Sequence, residues 1–206
     1  MQIIRCLLIS LLATWLASCV HLNHQQPALA DQPWQSSMSW LSECTPWSMQ
    51  GKMGLHWGHH GGSLYFTWQE NHDFYDISLN GPLGEGSVHM HGDAQGVTLQ
   101  DNEGRVQHAD TPEAMLHATL GINAPLSQLR QWIHGQAASP DARVILDSTG
   151  RLIRLQDGHF TIQYFDYNPV GAYFLPGRVK VTSPQFSLIM AIHQWSVSES
   201  CHPIAY

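Results

Sequence analysis

The side chains best equipped for chemistry are fourteen histidines and four cysteines in a chain of 206 residues. His89 and His91 stand two apart in an alternating stretch, so both rings share one face of a strand, a spacing that can clasp a metal ion. His59 and His60 adjoin in the glycine-rich residues 58–62. Neither pair has a third ligand at recognisable spacing, and histidines in a polar turn are ordinarily solvated. No serine lies in a Gly-x-Ser-x-Gly turn, and no other nucleophile has a recognisable setting. The chain therefore reads as a non-enzyme with no cofactor and no metal. Its other unusual residue is apolar. Leu83 lies within Gly81-Pro82-Leu83-Gly84. Glycine permits positive φ and proline fixes φ, so the chain reverses here, and a turn's backbone needs water. A leucine in that setting either folds back onto the core rim or offers an apolar tip to something greasy. Spacing leaves both open.

Composition narrows the partners. Apolar residues make up 43% and charged ones 12%, with 9 Lys+Arg against 16 Asp+Glu and a net charge of −7. No basic cluster is present to meet nucleic acid or anionic head groups. Any membrane attachment is apolar or covalent. The covalent route is written at the start. Arg5 precedes the apolar run 6–16, which is shorter than the about 20 residues a bilayer span requires and has the size of a signal-peptide core. The run ends in Leu16-Ala17-Ser18-Cys19, which resembles the lipobox of bacterial lipoproteins, where the cysteine receives lipid. On that reading residues 1–18 are a signal peptide, Cys19 is the lipidated residue and 19–33 form a flexible tether. Val20, where an aspartate would retain a lipoprotein at the inner membrane, resembles outer-membrane sorting. Cys44 and Cys201 remain. In an oxidising compartment they either bridge the start of the domain to its tail or stay as two free thiols.

Positioning falls to strands and two helices. Residues 34–43 carry Trp34, Met38 and Leu41 at helical spacing. From Met49 the period is two: Met49, Met53, Leu55 and Trp57, then Leu64, Phe66 and Trp68, then Tyr75, Ile77 and Leu79, each set on one strand face. Val88 with Met90, Val97 with Leu99, and Val106 continue the pattern between short Gly/Asn/Asp turns. Thr111-Pro112-Glu113 reads as a helix start, with Met115, Leu116 and Leu120 apolar and Gly121 as the stop. Residues 125–134 form a second helix with Leu126, Leu129, Trp132 and Ile133 as its stripe. Strands resume over 143–147, 151–156 and 159–167. A looser stretch with Pro169, Gly171 and Pro176 follows, and strands over 178–182 and 185–197 close a domain of 34–198, leaving the tail 199–206. About eleven strands in one antiparallel sheet must curl or close. The helices either roof an apolar cavity or complete a solid core, and pattern alone does not separate these.

Several stretches together resemble the LolB family of outer-membrane lipoprotein receptors: Phe66-x-Trp68-Gln69; Asp73-x-Tyr75-x-Ile77-x-Leu79 with the Gly81-Pro82-Leu83-Gly84 turn; Pro125-Leu126-x-x-Leu129-Arg130-Gln131-Trp132-Ile133-x-Gly135; Leu175-Pro176; and Trp195. The family's usual asparagine before Pro-Leu-Gly is Gly81 here. The resemblance implies a mainly β fold with α, a curled, incomplete antiparallel barrel with a helical lid enclosing an apolar cavity. It implies a monomer on the periplasmic face of the outer membrane. Such a chain takes lipoproteins from the periplasmic carrier LolA and inserts their acyl chains into the inner leaflet of the outer membrane. Leu83 matches the leucine needed for insertion. Bulky inward residues, Met53, Leu55, Phe66, Ile77, Leu79, Trp132 and Met190, are the expected cavity lining. Rival readings are a lipid-binding or scaffolding lipoprotein on a similar barrel, and a metal-binding protein.

Overall fold

The computed structural model describes residues 44–82, 86–171 and 173–198. The signal peptide, Cys19, the tether, the helix expected over 34–43, Leu83, Gly84, Cys201 and the tail 199–206 lie outside the described residues. Among the described residues, eleven strands form one antiparallel sheet in the order β6-β5-β4-β3-β2-β1-β11-β10-β9-β8-β7. They are β1 (Trp47–Trp57), β2 (His60–Asn71), β3 (Phe74–Asn80), β4 (Ser87–Asp93), β5 (Gly96–Asp101), β6 (Val106–Ala109), β7 (Arg143–Leu146), β8 (Leu152–Asp157), β9 (Phe160–Val170), β10 (Tyr173–Ser183) and β11 (Phe186–Val197). Two helices, α1 (Pro112–Leu120) and α2 (Leu126–Ile133), fall between β6 and β7. The order is a meander on each side of one long-range pairing, β1 with β11. The sheet curls without closing, because β6 and β7 do not pair.

Local chemistry accounts for the turns. The chain reverses between Trp57 and His60 in two residues, with Gly58 at φ 55°. That is tighter than the expected turn over 58–62, so Gly61 and Gly62 belong to β2. Asp101 closes the β5–β6 turn by accepting from the backbone N–H of Glu103 (2.9 Å) and of Arg105 (3.0 Å). Thr111 caps α1 by accepting from Ala114 N (3.2 Å), and Gly121 ends it at φ 66°.

One stretch departs from the sequence reading. The looser segment with Pro169 and Pro176 is a continuous hairpin of β9 and β10, in which Phe174 faces Pro169 and Pro176 faces Tyr167. Proline is tolerated in a strand where its missing N–H is not needed. Both sites meet that condition: β8 pairs with β9 only over 160–163, and β11 pairs with β10 only over 178–183. The Pro176 carbonyl, free of that ladder, accepts from Trp195 Nε1 (3.0 Å).

The β1–β11 pairing also joins the two ends of the domain, since Ser198 N donates to Pro46 O (3.2 Å). Cys44, buried beside this junction, is disulfide-bonded, which overturns the free-thiol alternative.

The core fills one half of the curl. Leu155, Ile162, Leu175, Val179 and Met190 are fully buried, as are Trp132 and Ile133 of α2.

Candidate functional site: an apolar chamber under two helices

In the other half of the curl the packing opens. A cavity of about 370 Å³ lies between the first five strands, the adjoining ends of β10 and β11 (Val181, Phe186, Leu188) and the helices. Its floor includes Met53, Leu55 and Trp57 of β1, Leu64 and Trp68 of β2, and Ile77 and Leu79 of β3. Val88, Met90, Leu99 and Leu188 extend it. The roof is Leu116 of α1, Ile122 and Ala124 of the connector, and Leu126, Leu129 and Trp132 of α2. Among the described residues that line it, none carries a charge. Burial of apolar surface is the one interaction such a chamber offers, so hydrocarbon is its natural occupant.

Tryptophans in an oily wall bring an N–H that must be satisfied. Here both buried rings turn it away from the cavity. Trp68 Nε1 donates to Glu70 (2.9 Å) and Trp132 Nε1 donates to Asp157 (2.9 Å). Each carboxylate then anchors α2 to the sheet. Glu70 accepts from Arg130 Nε (2.8 Å) and Nη2 (2.6 Å), and the Arg130 guanidinium lies 4.6 Å over the Tyr75 ring. Burial alone would lower the Arg130 pKa; the Glu70 carboxylate outweighs it and raises it. Asp157 also accepts from Ala138 N (2.6 Å) and from the Ser139 hydroxyl. Burial works against its charge, but the bonds from Ser139, Trp132 and Ala138 hold its carboxyl below the usual carboxylate range. Tyr164 Oη donates to Trp132 O (2.7 Å), tying β9 to the end of α2.

The two ends of the roof are therefore held differently. The C-terminal turn of α2 is fastened to β2, β8 and β9. The N-terminal turn has no side-chain cap of its own. Glu113 of α1 supplies one by accepting from Ser127 N (2.7 Å) and Ser127 Oγ (3.1 Å). The two helices are thus joined where they cover the cavity and anchored where they fill the core. Both alternatives for the helices hold at once, each for one half of the roof.

His134, just past α2, stands edge-on to Trp47 with ring centroids 5.4 Å apart. Burial, then the Arg130 charge, pushes its pKa down from 6.5 to about 4. An unfolded imidazole takes its proton near 6.5 and the folded one only near 4, so stability is constant above that window and falls as pH drops through it. The loss is expected to approach about 3 kcal/mol at its floor. Urea melts between neutral pH and pH 4 should show this slope, and His134→Phe should flatten it.

The loop that carries Leu83 starts and ends on the cavity wall. Leu79 and Val88 line the cavity on its two stems, Gly86 does so at its end, and Gly81 N donates to Gly86 O (2.9 Å). Gly81 is buried and Pro82 exposed. Of the residues expected from sequence to line a cavity, Met53, Leu55, Ile77, Leu79 and Trp132 do so. Phe66 and Met190, 2% and 0% exposed, are placed in the packed core. Ile122 and Ala124 of the roof went unread, because a five-residue connector has no period to betray its inward side chains.

Neither histidine pair lines this chamber, although His60 stacks on Trp57 of its floor with ring centroids 5.8 Å apart. His89 Nε2 meets Asp76 at 2.8 Å, and the His89 and His91 rings are 5.9 Å apart. Among the described residues, no group of three or more His, Cys, Asp or Glu is arranged to hold a metal ion.

Comparison with known proteins agrees with this architecture. The chain is 35% identical to the outer-membrane lipoprotein LolB of Pseudomonas paraeruginosa over 167 residues, 80% of each chain. It is 33% identical to the outer-membrane lipoprotein LolB of Pseudomonas putida over 174 residues, 83% of this chain and 84% of that one. A LolA superfamily protein from Nitrosomonas europaea shares the fold, with a TM-score of 0.52 at 8% identity over 81% of this chain and 94% of that one. The profile of the family "Outer membrane lipoprotein LolB" matches residues 45–195, and the chain belongs to that family.

Proposed function

We propose that this chain is an outer-membrane receptor for lipoproteins. It takes them from the periplasmic carrier LolA by accepting their acyl chains into the cavity, then passes those chains to the inner leaflet of the membrane. Cys19 carries the lipid that anchors it on the periplasmic face, and residues 19–33 give the domain reach. Leu83 is the contact with the bilayer. The observation that carries this reading is the chamber beneath a two-helix roof, lined without charge among the described residues, with Leu79, Gly86 and Val88 on its wall.

The energetics require such a chamber. An acyl chain of about sixteen carbons costs on the order of 12 kcal/mol in water, at about 0.8 kcal/mol per methylene. No free lipoprotein crosses an aqueous compartment at that cost. Transfer from one enclosed site to another needs no nucleotide if each step runs downhill, and a tenfold preference takes only about 1.4 kcal/mol.

The test is a transfer assay. LolA loaded with a labelled lipoprotein is mixed with this chain and then with liposomes. Label is expected to leave the carrier for the chain without nucleotide and then appear in the liposomes. A passive lipid-binding or scaffolding protein would leave the label on the carrier, and that result would end the receptor reading.

A further inference from the structure

We propose that the cavity holds one acyl chain of about fifteen carbons at a time, and that Gly62 sets the length it accepts. This rests on the acyl-carrying reading above and goes further, to stoichiometry and selectivity. The argument begins with volume. An apolar protein cavity of about 150 Å³ holds one benzene, or roughly 25 Å³ per carbon. At that density a cavity of about 370 Å³ is filled by a single chain of about fifteen carbons.

Two other large recesses offer a second chain no apolar shelter. They measure about 580 and about 380 Å³ and lie at the opposite end of the strands. Asp76, His91 and Asp93 line the first, and Asp93, His108 and Asp110 the second, and hydrocarbon gains nothing against such groups. The core half of the curl is packed to zero exposure at Leu155, Ile162 and Met190. A client bearing two or three chains therefore passes them singly.

The mouth of the cavity has a specific feature. Gly61 and Gly62 both border it, on the length of β2 that runs past the end of β3 towards the Leu83 loop. They are not equivalent. A Cβ on Gly61 would lie 2.8 Å from the Leu55 carbonyl oxygen, so Gly61 lets two backbones approach. A Cβ on Gly62 would meet nothing within 4 Å. Gly62 stands two residues before Leu64, which also lines the cavity, so it shares that face of the strand. Its missing side chain is space at the cavity mouth, and no backbone strain demands glycine there.

The experiment uses the full-length chain with Cys19→Ala, which keeps the domain and removes the sulfur a lipid would need. Saturated fatty acids from about 8 to about 18 carbons are titrated, with native mass spectrometry for stoichiometry and tryptophan quenching by brominated analogues for affinity. One acid per chain is expected. Affinity should rise about fourfold per methylene and level off near fifteen carbons. Gly62→Leu adds four carbons at the mouth, so its plateau should fall by about four carbons. Two or more acids per chain, or affinity still climbing at the longest acids, would overturn the single-chain inference while leaving acyl binding intact. A folded Gly62→Leu chain with an unchanged plateau would remove Gly62 from it. Failure of every acid to bind would take down the acyl-carrying reading itself, and this inference with it. The wild-type series decides stoichiometry even if the variant does not fold.

Discussion

A Leu83→Glu chain is expected to take lipoproteins from the carrier at the wild-type rate and to deliver almost none of them to liposomes. The reason is where the loop is rooted. Leu79 on one stem and Gly86 and Val88 on the other line the cavity, so both stems stand on the wall of the chamber proposed to hold an acyl chain. The Gly81–Gly86 backbone bond ties the loop's two ends together. A leucine gains roughly 1.5–3 kcal/mol on leaving water, and a glutamate gains nothing and must surrender its hydration. A loss of about 2 kcal/mol at the membrane contact is roughly a thirtyfold loss in its population. Leu83→Phe, which keeps the apolar tip, should deliver normally. Wild-type delivery by Leu83→Glu would exclude the proposed role, and loss of uptake would mean the loop belongs to the receiving step.

The second large effect is expected at the fastening of the roof. Arg130→Met leaves the Glu70 carboxylate, 3% exposed, with the Trp68 N–H as its one remaining side-chain partner among the described residues. Removing one member of a buried ion pair costs about 3 kcal/mol, because the other charge stays buried without compensation. The double variant Glu70→Gln/Arg130→Met should recover most of that loss, since no orphaned charge remains. Urea unfolding of both chains measures the difference. A single-variant loss below about 1 kcal/mol would show that the pair positions α2 without holding it. The pair also explains why an arginine stands inside a helix with an otherwise apolar inner stripe.

Much of this was legible in the sequence, for reasons tied to particular residues. Strands announce themselves when one face is buried, and Tyr75, Ile77 and Leu79 alternate with Phe74, Asp76 and Ser78 for that reason. Leu126, Leu129, Trp132 and Ile133 form a helical stripe because the helix buries only one side, and all four are buried. Where the reading failed, the cause was a local rule overridden by distant chain. Pro169 and Pro176 look like strand breakers until the short reach of β8 and β11 leaves their ladder positions vacant. Phe66 and Leu64 have the same parity, yet only Leu64 borders the cavity, and no periodicity distinguishes them.

By itself the sequence determined the alternation of faces, the two helices and their stops, the bulky apolar residues of the inner face and the position of the proline–leucine turn. These depend on neighbours a few residues apart, whose backbone preferences and burial are local. Only the tertiary structure decided that β1 pairs with β11, that the curl is filled on one side and hollow on the other, and that Glu70 and Asp157 fasten the roof. Each of these joins residues far apart in the chain: 60 positions for Glu70 and Arg130, and 25 for Trp132 and Asp157. No local preference encodes such distances; they arise when the sheet curls and the buried carboxylates must find partners.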